Sequence, residues 1–169
     1  VDAAINQSVY NFSAALESDA LPGVREIIPT YRSALVNFDP LVITHVEIEE
    51  AIDRAISRAT ALDTDERRSL TFTLPVLYGG DDGPDLARVA EHNSIRPEDV
   101  VRIHTSGVYR VFMLGFLPGF PYLGGMDERI ATPRLATPRI SVPAGAVGIA
   151  ESQTGVYPMD SPGGWNLIG

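Results

Sequence analysis

Lysine and cysteine are both absent from this chain of 169 residues; all 13 basic residues are arginine. Without lysine there is no phosphate-loop lysine, no Schiff-base amine, no carrier lysine for biotin and no Ser–Lys amidase pair. Without cysteine there are no disulfides, no thiolate nucleophile and no Cys-based zinc site. A G-x-S-x-G elbow is also missing. Histidine is scarce: His45, His92 and His104 stand alone, with no H-x3-H or H-E-x2-H spacing, so no metal site is expected. No apolar run approaches the ~18 residues of a membrane span. Positive charge is in deficit, with a net charge of −9, and a nucleic-acid surface needs a basic face. Neither a membrane nor a nucleic-acid partner is expected, and the expected location is cytoplasmic.

The first half alternates helix and strand patterns. Ile5, Val9, Phe12 and Leu16 recur at helical spacing, predicting a helix over about 4–18 that Leu21-Pro22-Gly23 ends. Val24–Ile28 and Tyr31–Phe38 read as strands, stopped by Asp39-Pro40. Thr44-His45-Val46-Glu47 is a capping box ahead of a helix with Ile48, Ile52, Ile56 and Ala59 on one face. Leu70, Phe72, Leu74 and Val76 alternate with polar residues and predict a half-buried strand. The order α-β-β-α-β is that of the ferredoxin-like split βαβ unit with its first strand missing, and a strand ahead of Val1 is expected.

Gly79-Gly80-Asp81-Asp82-Gly83 is turn-rich and marks a domain boundary, giving domains at 1–78 and 84–169. Two short helices follow, one opened by Pro84 and one by Pro97-Glu98-Asp99. From Val108 the pattern becomes short strands separated by Gly/Pro turns: Val108–Leu114, Arg139–Val142, Val147–Ala150 and Trp165–Ile168. The end at Gly169, just after a strand, predicts further sequence or a disordered tail.

That second half holds three dense motifs. They are Gly115-Phe116-Leu117-Pro118-Gly119-Phe120-Pro121-Tyr122-Leu123-Gly124-Gly125, a doubled Ala-Thr-Pro-Arg at 131–134 and 136–139, and Ser152-Gln153-Thr154-Gly155-Val156-Tyr157-Pro158 with Asp160-Ser161-Pro162-Gly163-Gly164-Trp165-Asn166 behind it. Glycine and proline specify backbone shape. Phe116, Phe120, Tyr122, Tyr157 and Trp165 between them are large surfaces with little rotamer freedom. Such text describes either tight turns plugged by aromatics or a rigid pocket walled by them. Arg134 and Arg139 close the two Thr-Pro-Arg units, and either could bind an anion bidentately or simply offset the acidic surface. Gln153 and Thr154 offer a donor and acceptors to a small amide, or hydrogen bonds to a turn. His104, at the end of a short helix, is either a helix-terminal histidine or a proton-transferring group at a pocket mouth.

The motifs from His104-x4-Tyr109-Arg110-Val111 through GFLPGFPYLGG, TPRLATPR, VPAGAVGIA, SQTGVYP and DSPGGWNLIG resemble the KipI family, also called allophanate hydrolase subunit 1 or the 5-oxoprolinase B subunit. The resemblance implies an all-β cyclophilin-like barrel for the second domain, after a ferredoxin-like α+β first domain. It implies a non-autonomous subunit of an ATP-dependent amide (lactam) hydrolase that opens 5-oxoproline to glutamate. The partner is a sister subunit, allophanate hydrolase subunit 2 or the 5-oxoprolinase C subunit. ATP, with Mg, is expected to be bound with that partner, since no ATP motif is legible here. In this reading His104 is catalytic, and Phe116, Pro118, Gly119, Phe120, Arg139, Gln153, Thr154 and Tyr157 bind substrate. Two other readings are a subunit of another small-amide (urea or allophanate) enzyme and a KipI-like inhibitor of a sensor histidine kinase.

Overall fold

The computed structural model describes residues 2–59 and 70–169. The chain divides into two compact units, Val1–Thr71 and Phe72–Gly169. It is a mixed α/β protein. Among the described residues, no helix is long and apolar enough to cross a membrane.

In the first unit, helices α1 (Ala3–Glu17) and α2 (His45–Ala59) accompany an antiparallel hairpin, β1 (Val24–Pro29) with β2 (Ala34–Phe38). Asp2 caps α1 by accepting from the amides of Ala4 and Ile5. The capping box forms as its spacing predicts: the Thr44 amide donates to Glu47 Oε2 at 2.9 Å, and the Glu47 amide donates to Thr44 Oγ1 at 3.3 Å. Ala15 and Leu16 of α1 pack against Ala51 and Ala55 of α2, where small side chains let the helices approach closely.

Two expectations need correction. Residues 70–78 form no strand, and Leu70, Phe72, Leu74 and Leu77 lie exposed. Alternation marks a face but does not supply a ladder, and Pro75 removes a donor in the middle of the run. Among the described residues no closed barrel forms either. The second unit has an open antiparallel sheet of five strands in the order β3-β4-β7-β6-β9, and a separate pair β5-β8. The ranges are β3 (Arg110–Leu114), β4 (Pro121–Gly124), β5 (Arg139–Val142), β6 (Val147–Ala150), β7 (Gln153–Val156), β8 (Ser161–Gly163) and β9 (Asn166–Leu167). Pro162 removes one backbone donor from the three-residue β8, as suits a short two-stranded ribbon.

β6 is buried along its whole length and separates two cores. Val147 and Ile149 face one way, toward α3 (Leu86–His92) and α4 (Pro97–Ser106), joining Leu86, Val89, Val100 and Ile103. Ala150 belongs to the other side, with Phe120, Tyr157, Trp165 and Leu167. This is the period of two expected of a central strand. One face thus carries a helical core and the other an aromatic one.

Candidate functional site

The aromatic side is built by a hairpin loop between β3 and β4. Leu117-Pro118-Gly119-Phe120 is a tight turn in which the Phe120 amide donates to the Leu117 carbonyl at 3.0 Å. Proline presets the second position, and Gly119, at φ +81°, takes the third, where a side chain would be strained. Just before it, the Leu117 amide donates to the Gly115 carbonyl at 2.7 Å around Phe116, whose φ is +65°. A non-glycine residue held there is a strained three-residue turn. The strain leaves the Phe116 ring 59% exposed while Phe120 is driven into the core at 1%.

Phe120 is the hub of an edge-to-face cluster. Its ring centroid lies 5.0 Å from Tyr122, 5.2 Å from Tyr157, 5.5 Å from Trp165 and 5.5 Å from Phe116. Those five rings wall a cavity of about 260 Å³. Pro138, Pro162, Gly163 and Gly164 continue the lining, and Arg134 is the one charged residue in it. Gly163 is required for packing: a Cβ there would stand 2.5 Å from the Tyr157 hydroxyl. Burial raises the Tyr157 phenol above its ordinary pKa, so it stays protonated.

The two Thr-Pro-Arg arginines have different surroundings. Arg139 Nη2 lies 2.7 Å from Asp85 Oδ1, and its Nη1 donates to the Trp165 carbonyl at 3.5 Å. Asp85 is nearly buried, and its other oxygen accepts from the Leu167 amide at 2.7 Å. Arg139 therefore ties β5 to the start of α3 and to β9. Arg134 makes no ion pair among the described residues; its guanidinium carbon lies 6.0 Å from the centroid of the Trp165 ring.

His104 lies on the helical side of the sheet. It is 6% exposed, and both ring nitrogens are engaged: Nδ1 is 2.7 Å from the Tyr78 hydroxyl and Nε2 is 3.0 Å from Thr154 Oγ1. The Thr154 hydroxyl donates its single proton to the Gly148 carbonyl at 3.0 Å. It must then accept from His104, which places the proton on Nε2 and leaves Nδ1 to accept from Tyr78. Burial pushes the His104 pKa down to about 4, so the ring is neutral at pH 7. The Tyr109 hydroxyl donates to the His104 carbonyl at 2.6 Å, and burial, with the charges of Tyr78 and Asp127 added, pushes that phenol up to about 12.

The chain matches, over residues 1–169, the family described as carboxyltransferase domain, subdomain C and D. It is 43% identical over 178 residues to the 5-oxoprolinase B subunit of Bacillus subtilis, covering 98% of this chain and 72% of that protein. It is 45% identical to the 5-oxoprolinase B subunit of Escherichia coli O157:H7, covering 88% and 67%. The chain belongs to the family of 5-oxoprolinase B subunits. A conserved uncharacterised protein of Pyrococcus horikoshii is similar in structure, with TM-score 0.57 and 48% identity, covering 98% of this chain and 74% of that one. Urea carboxylase of Kluyveromyces lactis shares the fold, with TM-score 0.75 at 20% identity, over 99% of this chain and 17% of that enzyme.

Of the residues singled out by sequence in this family member, Phe116, Phe120 and Tyr157 line the cavity. Pro118 and Gly119 shape its loop. Arg139 stands behind it in an ion pair. Thr154 is buried beside His104, Gln153 is its half-buried neighbour on β7, and none of these three lines the cavity. Strands β4 and β7 are nevertheless adjacent, with Leu123 opposite Thr154. Tyr78 was not among the expected site residues. Nothing in its local pattern marks it, because its partner His104 is 26 residues away. Arg139, and not Arg134, was expected to bind substrate; Asp85, 54 positions before Arg139, holds that arginine in an ion pair, and Arg134 lines the cavity.

Proposed function

We propose that this chain is the B-type subunit of an ATP-dependent 5-oxoprolinase and that its aromatic cavity takes the lactam. The kinship to 5-oxoprolinase B subunits at 43–45% identity over nearly the whole chain carries this reading. The cavity's size supports it: about 260 Å³ lies below the ~300–1,000 Å³ of sites for drug-sized ligands, and suits a small ring with one polar edge. Flat aromatic walls fit a five-membered ring, and the Tyr157 hydroxyl and the Gly163–Gly164 backbone supply polar groups near it.

The same cavity does not suit a nucleotide triphosphate. It is too small and has one cation. ATP and Mg are therefore assigned to a surface completed by the sister subunit, the 5-oxoprolinase C subunit. The buried Tyr78–His104–Thr154 chain supports a positioning role for His104: it holds β7 against α4, and through β4 the loop that carries Phe120. Proton transfer by His104 would require solvent or substrate to reach Nε2. We read the first unit, with its two helices and one hairpin, as the αββα part of a ferredoxin-like layer, and the second as a cyclophilin-like domain that starts near residue 84. The α-β-β-α order and the antiparallel sheet support this.

The test is co-expression with the sister subunit followed by an ATPase assay. A stable complex whose ATP turnover rises with 5-oxoproline supports the reading. A complex stimulated by urea or allophanate and not by 5-oxoproline moves the chain to another small-amide enzyme.

A further inference from the structure

We infer that Arg134 is the carboxylate-recognising residue of the aromatic cavity, and that its ligand is a small cyclic amide bearing one carboxylate. This rests on the proposal that the cavity is the substrate site, and it adds which group selects the substrate.

Four observations meet at this side chain. First, Arg134 is the one charged residue lining the cavity, so the local field favours an anion although the chain carries −9 overall. Second, it has no carboxylate partner among the described residues, whereas the sequence-equivalent Arg139 is held by Asp85 at 2.7 Å. The repeat supplies two arginines, and the fold uses one as a strut and leaves the other facing the cavity. Third, its backbone is pinned on both sides. The fully buried Asn166 donates from Nδ2 to the Pro133 carbonyl at 2.9 Å, and the Leu135 amide donates to the Gly164 carbonyl at 2.8 Å. Asn166 is itself fixed, because its second Nδ2 proton goes to the Ile149 carbonyl at 3.1 Å and its Oδ1 accepts from Arg88 at 2.9 Å. Fourth, the guanidinium carbon lies 6.0 Å from the centroid of the Trp165 ring, at cation–π distance from a wall of the same cavity. The side chain is exposed on this held backbone, and its guanidinium can grip a carboxylate with two parallel hydrogen bonds. Aromatic walls then take the ring, and the lactam C=O and N–H are directed to the polar groups at Tyr157 and Gly163–Gly164.

The experiment is calorimetric titration of the full chain, alone and with the sister subunit, using three probes: 5-oxoproline, 2-pyrrolidinone (the same lactam without the carboxylate) and succinate (carboxylates without the lactam). Trp165 is the only tryptophan, so its fluorescence in the isolated chain reports the same site. The expected order is 5-oxoproline tightest, with 2-pyrrolidinone weaker by about 10- to 100-fold, the worth of a charge-assisted pair. Arg134→Gln should weaken 5-oxoproline by a similar factor, leave 2-pyrrolidinone unchanged and leave the melting temperature near that of the parent. Arg134→Lys should restore only part of the loss, because a lysine cannot make the two-bond grip. If Arg134→Gln binds 5-oxoproline as the parent does, the inference fails while the lactam reading stands. If succinate binds through Arg134 and 5-oxoproline does not, anion recognition stands and the lactam reading fails. If no probe binds, whether or not the sister subunit is present, both fail.

Discussion

His104 Nε2 donates to Thr154 Oγ1 across 3.0 Å, and the onward bond from Thr154 to the Gly148 carbonyl fixes the direction of that proton. Protonating the ring would convert Nδ1 into a second donor facing the Tyr78 hydroxyl, with the cation buried. The folded pKa, about 4, is depressed from an ordinary 6.5. The unfolded chain therefore binds more protons between those values, so His104's contribution is complete above pH 6.5 and is lost as pH falls toward 4. A shift of this size corresponds to about 3 kcal/mol. Urea melts of the parent should weaken steadily over that window. His104→Asn should be less stable at pH 7 and nearly flat over the same range. The exposed carboxylates lowered by arginine neighbours, such as Asp99 and Asp127, act at still lower pH.

Asp85 and Arg139 are expected to be structural. Asp85→Asn leaves a half-buried guanidinium short of its counter-charge and weakens the bond to the Leu167 amide, at a cost of about 2–3 kcal/mol. Arg139→Gln should destabilise comparably, in contrast to Arg134→Gln. Thermal melts of the three variants at neutral pH check this, and equal destabilisation by all three would remove the distinction between the two arginines.

Gly163→Ala places a methyl group 2.5 Å from the Tyr157 hydroxyl. The ring must then move into the cavity or β8 must shift, at a cost of about 1–3 kcal/mol. Loss of 5-oxoproline binding should exceed what the change in stability explains. Calorimetry at a temperature well below the melt separates the two effects.

Much of this could be read in the sequence because the local signals were strong. The Thr44–Glu47 box and the Pro118-Gly119 turn each depend on neighbours in the chain. Arg139, by contrast, was chosen over Arg134 as a substrate residue without sight of Asp85, and Tyr78 could not be paired with His104, because those contacts join distant segments. The strand expected at 70–76 failed for a local reason that was visible: Pro75 interrupts the alternation. His104 was read as catalytic, at a pocket mouth, from the family resemblance, with a helix-terminal histidine as the alternative. Its side chain is buried and bonded to Tyr78 and Thr154, because a helix end can be packed as firmly as its middle.

The central claim is that this chain supplies an indispensable share of a 5-oxoprolinase and is inert alone. Its most direct measurement is glutamate release from 5-oxoproline and ATP by this chain together with the other proteins of the system, with each component omitted in turn. Glutamate should form in the full mixture, fall to background when this chain is left out, and stay at background when it is tested alone. Glutamate formed at an undiminished rate without this chain, or by this chain alone, would contradict the claim.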